Sequence, residues 1–337
     1  MIQNNMNIAY IYSEEKWRDH IKETFSDHNL TIGTSLEEIK DQLSEVEILS
    51  VFVSHQVTKE YLDLMPNLKL IATRSTGYDH IDAVTAKEKG IQIATVPSYG
   101  ENTVAEFAFA LLLTLSRRVY ESYKQVSETG SFEKDGLRGF DLFDKKIGII
   151  GTGKIGLNVI KIAKGFGMDV QAYDLFPNEE EASKIGFSYV SFEELLSSSD
   201  IISIHAPYNE DTHHLINKSN ITTVKPGVYI INTARGGLVE TTALVNGLDA
   251  GLVAGAGLDV LEEEGYLGDE LQLLEDDHPN AKELKITLSN HYLIDHPRVI
   301  ITPHNAFNTE GAMRRIIDTT VNNIKSFING QPLNTLK

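Results

Sequence analysis

The 337-residue chain contains no cysteine. That excludes disulfides, thiolate metal sites and cysteine nucleophiles, and it fits a cytoplasmic protein. No run of eighteen or more apolar residues occurs, so no membrane span is expected. The N-terminal stretch MIQNNMNIAYIYSEEKW lacks a basic region followed by a long apolar one, and no secretory signal is expected. Basic residues are in deficit, with Lys and Arg numbering 30 against 48 Asp and Glu, for a net charge of −18. Such a surface repels phosphate backbones, which argues against nucleic acid as a partner. A Gly/Ser- or Pro-rich linker between two units is missing, and so is any short-period repeat that would signal a solenoid.

What is present is a large apolar fraction, 41% of residues, enough for a full core and, at this length, about two domains. Short apolar runs alternate with helical patterns: NIAYIY, EILSVFV, KLIAT and IQIA before residue 100, then KIGII, VQAYD, DIISIH, GVYIIN, VAGAGLD and RVIIT. This alternation predicts α/β architecture, with parallel sheets covered by helices on both faces. The apolar helical stretch ENTVAEFAFALLLTLSRR, 101–118, follows the turn VPSYG and is expected to cross between two α/β domains. A last helix over 310–329 is expected to return to the first domain, leaving a cleft with two connecting hinges. The segment 262–283 carries nine carboxylates and one lysine and reads as a solvated surface insertion; no ligand spacing in it supports a metal site.

Residues 147–156, IGIIGTGKIG, give a strand, then Gly151-x-Gly153-x-x-Gly156, then a helical pattern. In that setting Gly151 permits the tight turn, Gly153 lets the backbone approach a pyrophosphate, and Gly156 lets helix and strand pack closely. The helix N-terminus adds free N–H groups and a positive dipole end. The next strand ends at Asp174, eighteen residues after Gly156. A carboxylate there accepts hydrogen bonds from both ribose hydroxyls of NAD and repels the 2′-phosphate of NADP, and the following LFPN offers no arginine. NAD is therefore the expected cofactor.

A guanidinium at the end of an apolar strand, in VYIINTARGGL, is unusual. Ligands of open α/β sheets bind beyond the carboxyl ends of strands, and Gly236 and Gly237 leave room beside Arg235. Two further strand ends carry chemistry: AGAGLDVLEEEG places Asp259 and Glu264, and RVIITPHNAF places His304.

The sequence resembles the D-isomer-specific 2-hydroxyacid dehydrogenase family, its D-lactate dehydrogenase members most of all. The resemblance runs over nearly the whole chain and is carried by TRSTGYDHID (73–82), VPSYGENTVAE (96–106), GIIGTGKIG (148–156), ISIHAPYNEDTHHLI (202–216), INTARGGLVE (231–240), GLDVLEEEG (257–265) and TPHNAFNTEGA (302–312). It implies two doubly wound parallel-sheet domains: a Rossmann NAD-binding domain over 101–307, and a smaller flavodoxin-like substrate domain over 1–100 plus 308–337. It implies catalysis by Arg235, Glu264 and His304. Arg235 would grip the substrate carboxylate as a fork, and His304 would protonate the developing alkoxide or take the proton in reverse. Glu264 would bond His304 and favour its charged form. The family pattern has a proline after this glutamate where this chain has Gly265; Glu262 and Glu263 are neighbours that a shift of register would bring to the histidine instead.

The same resemblance places Lys154, Ile155, His205, Ala206, Pro207, Thr212, Thr233, Ala234, Arg235, Asp259 and His304 at the cofactor, beside the three glycines and Asp174. His205 is read as packing and positioning, whereas His213 and His214 are read as solvent-facing. On the substrate side, backbone N–H groups of Ser75, Thr76 and Gly77 would bind the carboxylate. Phe52, Tyr99 and Phe307 match pocket-lining positions and would leave a small cavity suited to pyruvate. The stretch 265–295 is expected to be a surface excursion beside the cleft. A homodimer is implied, with the apolar helix from Glu101 contributing to the interface. The expected activity is NAD-dependent interconversion of pyruvate and D-lactate. The alternatives are longer 2-keto acids, hydroxypyruvate or glyoxylate, and, from another class, an NAD-sensing corepressor-like binding protein. The corepressor reading is disfavoured because the chain ends within a few residues of its last helix.

Overall fold

The computed structural model describes residues 5–11, 15–264 and 281–336. In chain order the elements are β1 Asn7–Ile11, α1 Glu15–Thr24, β2 Asn29–Gly33, β3 Ile48–Val51, α2 Lys59–Asp63, β4 Leu70–Thr73, α3 Ala83–Glu88 and β5 Gln92–Ala94. There follow α4 Glu101–Arg117, α5 Val119–Thr129, β6 Lys146–Ile150, α6 Lys154–Gly165, β7 Asp169–Tyr173, α7 Glu179–Ile185, β8 Ser188–Tyr189 and α8 Phe192–Ser198. The last are β9 Ile201–Ile204, β10 Val228–Asn232, α9 Thr241–Asp249, β11 Val253–Leu258, α10 Ala281–Asp295, β12 Val299–Ile301 and α11 Glu310–Ile328. Two compact units form: Met1–Tyr99 with Thr309–Lys337, and Gly100–Asn308.

The first unit holds a five-stranded sheet of order β2-β1-β3-β4-β5, every pairing parallel. In sequence order that is 2-1-3-4-5, the flavodoxin-like doubly wound arrangement. Its strands alternate between two cores. Ala9, Ile11, Leu49, Val51 and Ile71 face one; Ile8, Tyr10, Ile48, Leu70 and Ala72 face the other, where Ile317 and Ile324 of α11 pack with Phe25. Because both faces are covered, β3 and β4 are buried at every position, which is why ILSV and LIAT read as continuous apolar runs rather than alternating ones.

The second unit holds a seven-stranded sheet of order β12-β11-β10-β9-β6-β7-β8, again parallel throughout. Counted from β6 this is the order 3-2-1-4-5-6 of a Rossmann domain with one more strand at the edge. Helices α4 and α6 cover one face through Ala105, Phe109, Leu112, Val159 and Ile160; α8 and α9 cover the other through Leu195, Leu196, Leu244 and Leu248. Local signals start and stop these helices. Ser191 and Asn178 cap α8 and α7 by accepting the N–H of Glu194 and Glu181, and Gly186, at φ 85°, ends α7 in the left-handed conformation. The strand order reverses between β6 and β9, and the loops after those strands flank the crevice in which such folds bind dinucleotides.

Candidate active site

The turn after β6 is built of glycine for steric reasons at two of its three positions. Gly151 has φ +92°, and a Cβ there would lie 2.7 Å from the backbone nitrogen of Ala206, in the loop after β9. At Gly156 a Cβ would lie 2.0 Å from the carbonyl oxygen of Gly151. Gly153 is different: its Cβ direction is open, and it starts α6 with no side chain capping the helix. The uncapped N–H groups of α6 thus have clear space before them, the arrangement a pyrophosphate takes. Lys154 is turned to Glu101, Nζ to Oε1 at 3.4 Å, and Ile155 packs into the core beneath. Asp174 stands at the end of β7. Its Oδ2 accepts the backbone N–H of Thr152 at 2.6 Å and its hydroxyl at 2.9 Å, while Oδ1 accepts the N–H of Phe176 at 2.9 Å. The carboxylate is therefore tied to the glycine turn itself.

Across the reversal point, His205 bonds Ser203 Oγ through Nε2 at 2.8 Å, and burial pushes its imidazole down to about 3, so the ring is neutral at physiological pH. Ala206 and Pro207 follow it, and the Thr212 hydroxyl donates to the carbonyl of Pro207 at 2.7 Å, closing that loop on itself. After β10, the Thr233 hydroxyl is buried without a hydrogen-bond partner among the described residues. An orphaned buried hydroxyl at this strand end, on the same carboxyl edge of the sheet as the uncapped helix and the open Gly153, is what a bound dinucleotide would satisfy, so the residues present fit NAD.

Arg235 owes its position to Asn232, the last, buried residue of β10. The Asn232 side chain accepts the N–H of Ala234 at 3.0 Å and donates to the carbonyl of Arg235 at 2.8 Å, curling the chain so that the arginine leaves the strand end. The guanidinium donates to the carbonyl of Ala234 at 2.8 Å. The backbone of this turn lies directly on the next loop, since a Cβ on Gly236 would fall 2.0 Å from the carbonyl carbon of Leu261.

Asp259, fully buried at the end of β11, organises the loop after β12. Its Oδ1 accepts the Thr302 hydroxyl and the N–H of Asn305 at 2.8 Å, and its Oδ2 accepts the N–H of Ala306 at 2.7 Å. Burial pushes this carboxyl up from its ordinary value, against those hydrogen bonds. The result is that His304 is held at φ +49°, a left-handed conformation uncommon for histidine, with its N–H donated to the carbonyl of Asp259 at 2.8 Å. Its Nδ1 meets Glu264 Oε1 at 2.7 Å, and its ring stands edge-on to Phe307 at 6.4 Å between centroids. The carboxylate facing His304 is thus Glu264.

Glu262 has a partner of its own, which the sequence did not disclose. Its Oε1 meets His214 Nε2 at 2.6 Å, and its Oε2 accepts both the N–H and the hydroxyl of Thr241 at 2.6 Å. Glu262 and His214 are therefore not the solvated acid and solvent-facing histidine expected: the Glu262 side chain is 7% exposed and that of His214 21%. His213 remains exposed and stacks on the ring of His214. Of the expected surface excursion over 265–295, residues 265–280 lie outside the described residues, and the rest forms α10, which buries Ile286, Asn290 and Leu293. Burial against the sheet, rather than excess apolar surface, also accounts for α4: none of the exposed large hydrophobics lies on it.

In the first unit, Ser75 Oγ donates to the carbonyl of Gly77 at 2.6 Å and Thr76 Oγ1 to that of Val96 at 2.7 Å, shaping the turn after β4. The preceding Arg74 is buried, donates to the carbonyl of Ile11 and to Ser50, and lies over the rings of Tyr10 and Phe52. Tyr99 is half-buried, and its carbonyl accepts Arg315 Nε.

A dinucleotide cradle with an arginine, a histidine and a carboxylate on three adjacent strand-end loops defines an NAD-binding oxidoreductase domain. Comparison with known proteins agrees: the model of the D-isomer specific 2-hydroxyacid dehydrogenase NAD binding domain matches residues 109–306. A 2-hydroxyacid dehydrogenase homolog of Zymomonas mobilis is 37% identical over 294 residues, covering 86% of this chain and 85% of the relative. An aromatic 2-oxoacid reductase of Clostridium sporogenes is 38% identical over 285 residues, covering 83% and 82%. Among solved structures, the D-lactate dehydrogenase of Aquifex aeolicus, complexed with NAD and lactic acid, is 37% identical with a TM-score of 0.87, covering 96% of both chains. The chain belongs to the D-isomer specific 2-hydroxyacid dehydrogenase family, oxidoreductases that act on a CH–OH group, and its second unit carries that family's NAD binding domain.

Proposed function

We propose that the chain reduces pyruvate to D-lactate with NADH, reversibly, and that Arg235, His304 and Glu264 are its catalytic residues. The observation that carries this reading is the Glu264–His304 pair. With Nδ1 of His304 held by the carboxylate at 2.7 Å, Nε2 is the nitrogen left to exchange a proton with substrate. The dinucleotide supplies the hydride in reduction and accepts it in oxidation. Arg235 binds the substrate carboxylate as a two-pronged donor and turns the carbonyl toward the histidine. As the carbonyl carbon gains a hydride, its oxygen takes the proton of His304, and Glu264 offsets the charge of the imidazolium that gives it up.

The turn over Ser75, Thr76 and Gly77 is proposed as a second carboxylate-binding element; none of its three backbone N–H groups has a partner among the described residues. Asp174, fixed beside the glycine turn, favours NAD over NADP by repelling a 2′-phosphate. Pyruvate is preferred on the ground that Phe52, Tyr99 and Phe307 are aromatic. The 38% identity to an aromatic 2-oxoacid reductase supports a larger 2-keto acid as the second reading. We further propose a homodimer. Its support is α5, where Val119, Tyr120, Tyr123 and Val126 are all exposed and Val119, Tyr123 and Val126 repeat at one-face spacing.

The test is NADH oxidation followed with pyruvate, 2-ketoisocaproate, phenylpyruvate, hydroxypyruvate and glyoxylate, with chiral analysis of the product. The largest kcat/KM for pyruvate and a D-configured product support the reading. A larger value for phenylpyruvate replaces it with the second, and turnover of none of the five overturns both. Light scattering of the purified chain checks the dimer, and a monomeric mass that Tyr123→Glu leaves unaltered removes it.

A further inference from the structure

Glu262 carries a buried carboxylate with both oxygens bonded, two residues from the glutamate assigned to the histidine, and the chemistry above does not use it. Its contacts tie its own loop to the start of α9 and to the loop after β9. Through Thr241 it holds the first turn of α9, directly after the loop that carries Arg235. Through His214 it holds the loop after β9. His214 is itself in a left-handed conformation, φ +53°, and donates its N–H to the carbonyl of Gly237 at 2.8 Å, two residues from Arg235. The two loops then run side by side: the N–H of Ile216 donates to the carbonyl of Leu238 at 3.0 Å, and that of Glu240 to the carbonyl of Ile216 at 2.8 Å. From the other side, the carbonyl of Glu262 accepts Asn290 Nδ2 of α10 at 2.7 Å.

A buried carboxylate is costly unless its oxygens are paired, and these are paired only when the three loops stand at one spacing. The close backbone approach of Gly236 to Leu261 and Glu262 sets the same spacing from the other end of the turn. We propose that Glu262, with His214, is a positioning residue for the hydride and proton transfer, fixing Arg235 at a set distance from the Glu264–His304 pair. The inference rests on the roles given above to Arg235, Glu264 and His304.

The test uses the full chain and whichever 2-keto acid of the panel turns over fastest. Glu262→Ala, Glu262→Gln, His214→Gln and His304→Asn are compared by kcat, KM, NADH affinity from fluorescence, and the primary isotope effect with NADH deuterated at the transferred position. A misplacement of about 1 Å between reacting groups lowers rate by roughly 10²-fold, so Glu262→Ala is expected to lose kcat on the order of 10–10²-fold. Its NADH affinity stays unchanged and its isotope effect rises, because hydride transfer becomes slower relative to the other steps. Glu262→Gln recovers part of the loss, since its carbonyl oxygen still accepts Thr241. A purely structural role would lower the melting temperature but leave kcat and the isotope effect of the folded enzyme at their original values, and that result overturns the proposal. Should Glu262→Ala not fold, Glu262→Gln and His214→Gln decide it by the same criterion. Loss of turnover in His304→Asn with no change in any Glu262 or His214 variant removes this inference alone. Retained turnover in His304→Asn removes the assigned chemistry and this inference with it.

Discussion

Glu262 and Glu264 stand two residues apart on one loop, and each meets a histidine through a single carboxylate oxygen, at 2.6 and 2.7 Å. Their surroundings differ. The Glu262 side chain is 7% exposed, and its second oxygen is taken by two donors of Thr241. The Glu264 side chain is 43% exposed, and among the described residues its second oxygen has only the N–H of Leu261, at 3.3 Å. The histidines themselves differ little: both have a left-handed backbone, φ +53° for His214 and +49° for His304, and side chains 21% and 25% exposed, so the contrast lies in the carboxylates. On the roles proposed above, the same two residue types serve opposite ends. A carboxylate saturated with donors holds backbone in place, and one left partly open can take part in moving a proton.

The strongest way to break this contrast is to remove each histidine. His304→Asn should lower kcat by about 10²–10⁴-fold, the range for losing a general acid, with NADH binding intact. His214→Gln should fall well short of that; equal losses in steady-state assays would erase the distinction. Next in size is Arg235→Lys, which keeps the charge but loses the fork. A drop of roughly 10–10²-fold in kcat/KM for the 2-keto acid is expected, and an unchanged value would show that no two-pronged contact is made. Stability should order the glutamates the other way. Glu262→Ala leaves buried donors unpaired and should cost about 1–3 kcal/mol, whereas Glu264→Ala should stay within about 0.5 kcal/mol. Thermal melts that shift alike for both would refute the assignment of Glu262 as the structural member.

The last prediction concerns a third histidine, His205, whose bond among the described residues is to the Ser203 hydroxyl rather than to a carboxylate. His205 is driven by burial from its ordinary 6.5 to about 3. The unfolded chain therefore binds a proton below about 6.5 that the native chain refuses. Its contribution to stability is complete above that pH and is lost progressively as pH falls toward 3. Melts recorded between pH 7 and 5 should show a smaller loss for His205→Gln than for the original chain, and parallel losses would mean that the ring is solvated.

Much of the fold was legible because parallel sheets covered on both faces leave continuous apolar runs. KLIAT, DIISIH and GVYIIN contain β4, β9 and β10. β2 and β8 were not legible. NLTIG is an edge strand with one buried position, and β8 is two residues long, so neither carries an apolar run to read. In the site, Arg235 and His304 were read from polar groups that follow apolar strands, a signal shared by Asn232 and Asp259, which turn out to be buried and to shape the turns. The Glu262–His214 pair left no such mark. Its members are 48 residues apart, one within a run of three glutamates and the other beside a second histidine, and only the folded loops show which of each is used.

Asp259 follows β11 directly, yet the groups its carboxylate holds, on Thr302, Asn305 and Ala306, belong to the segment after β12. Neither segment is therefore a transferable cassette. A chimaera that imports residues 302–306 from a relative inherits a histidine whose tilt is dictated from outside the graft. Exchange along this edge of the sheet succeeds only when both neighbours travel together.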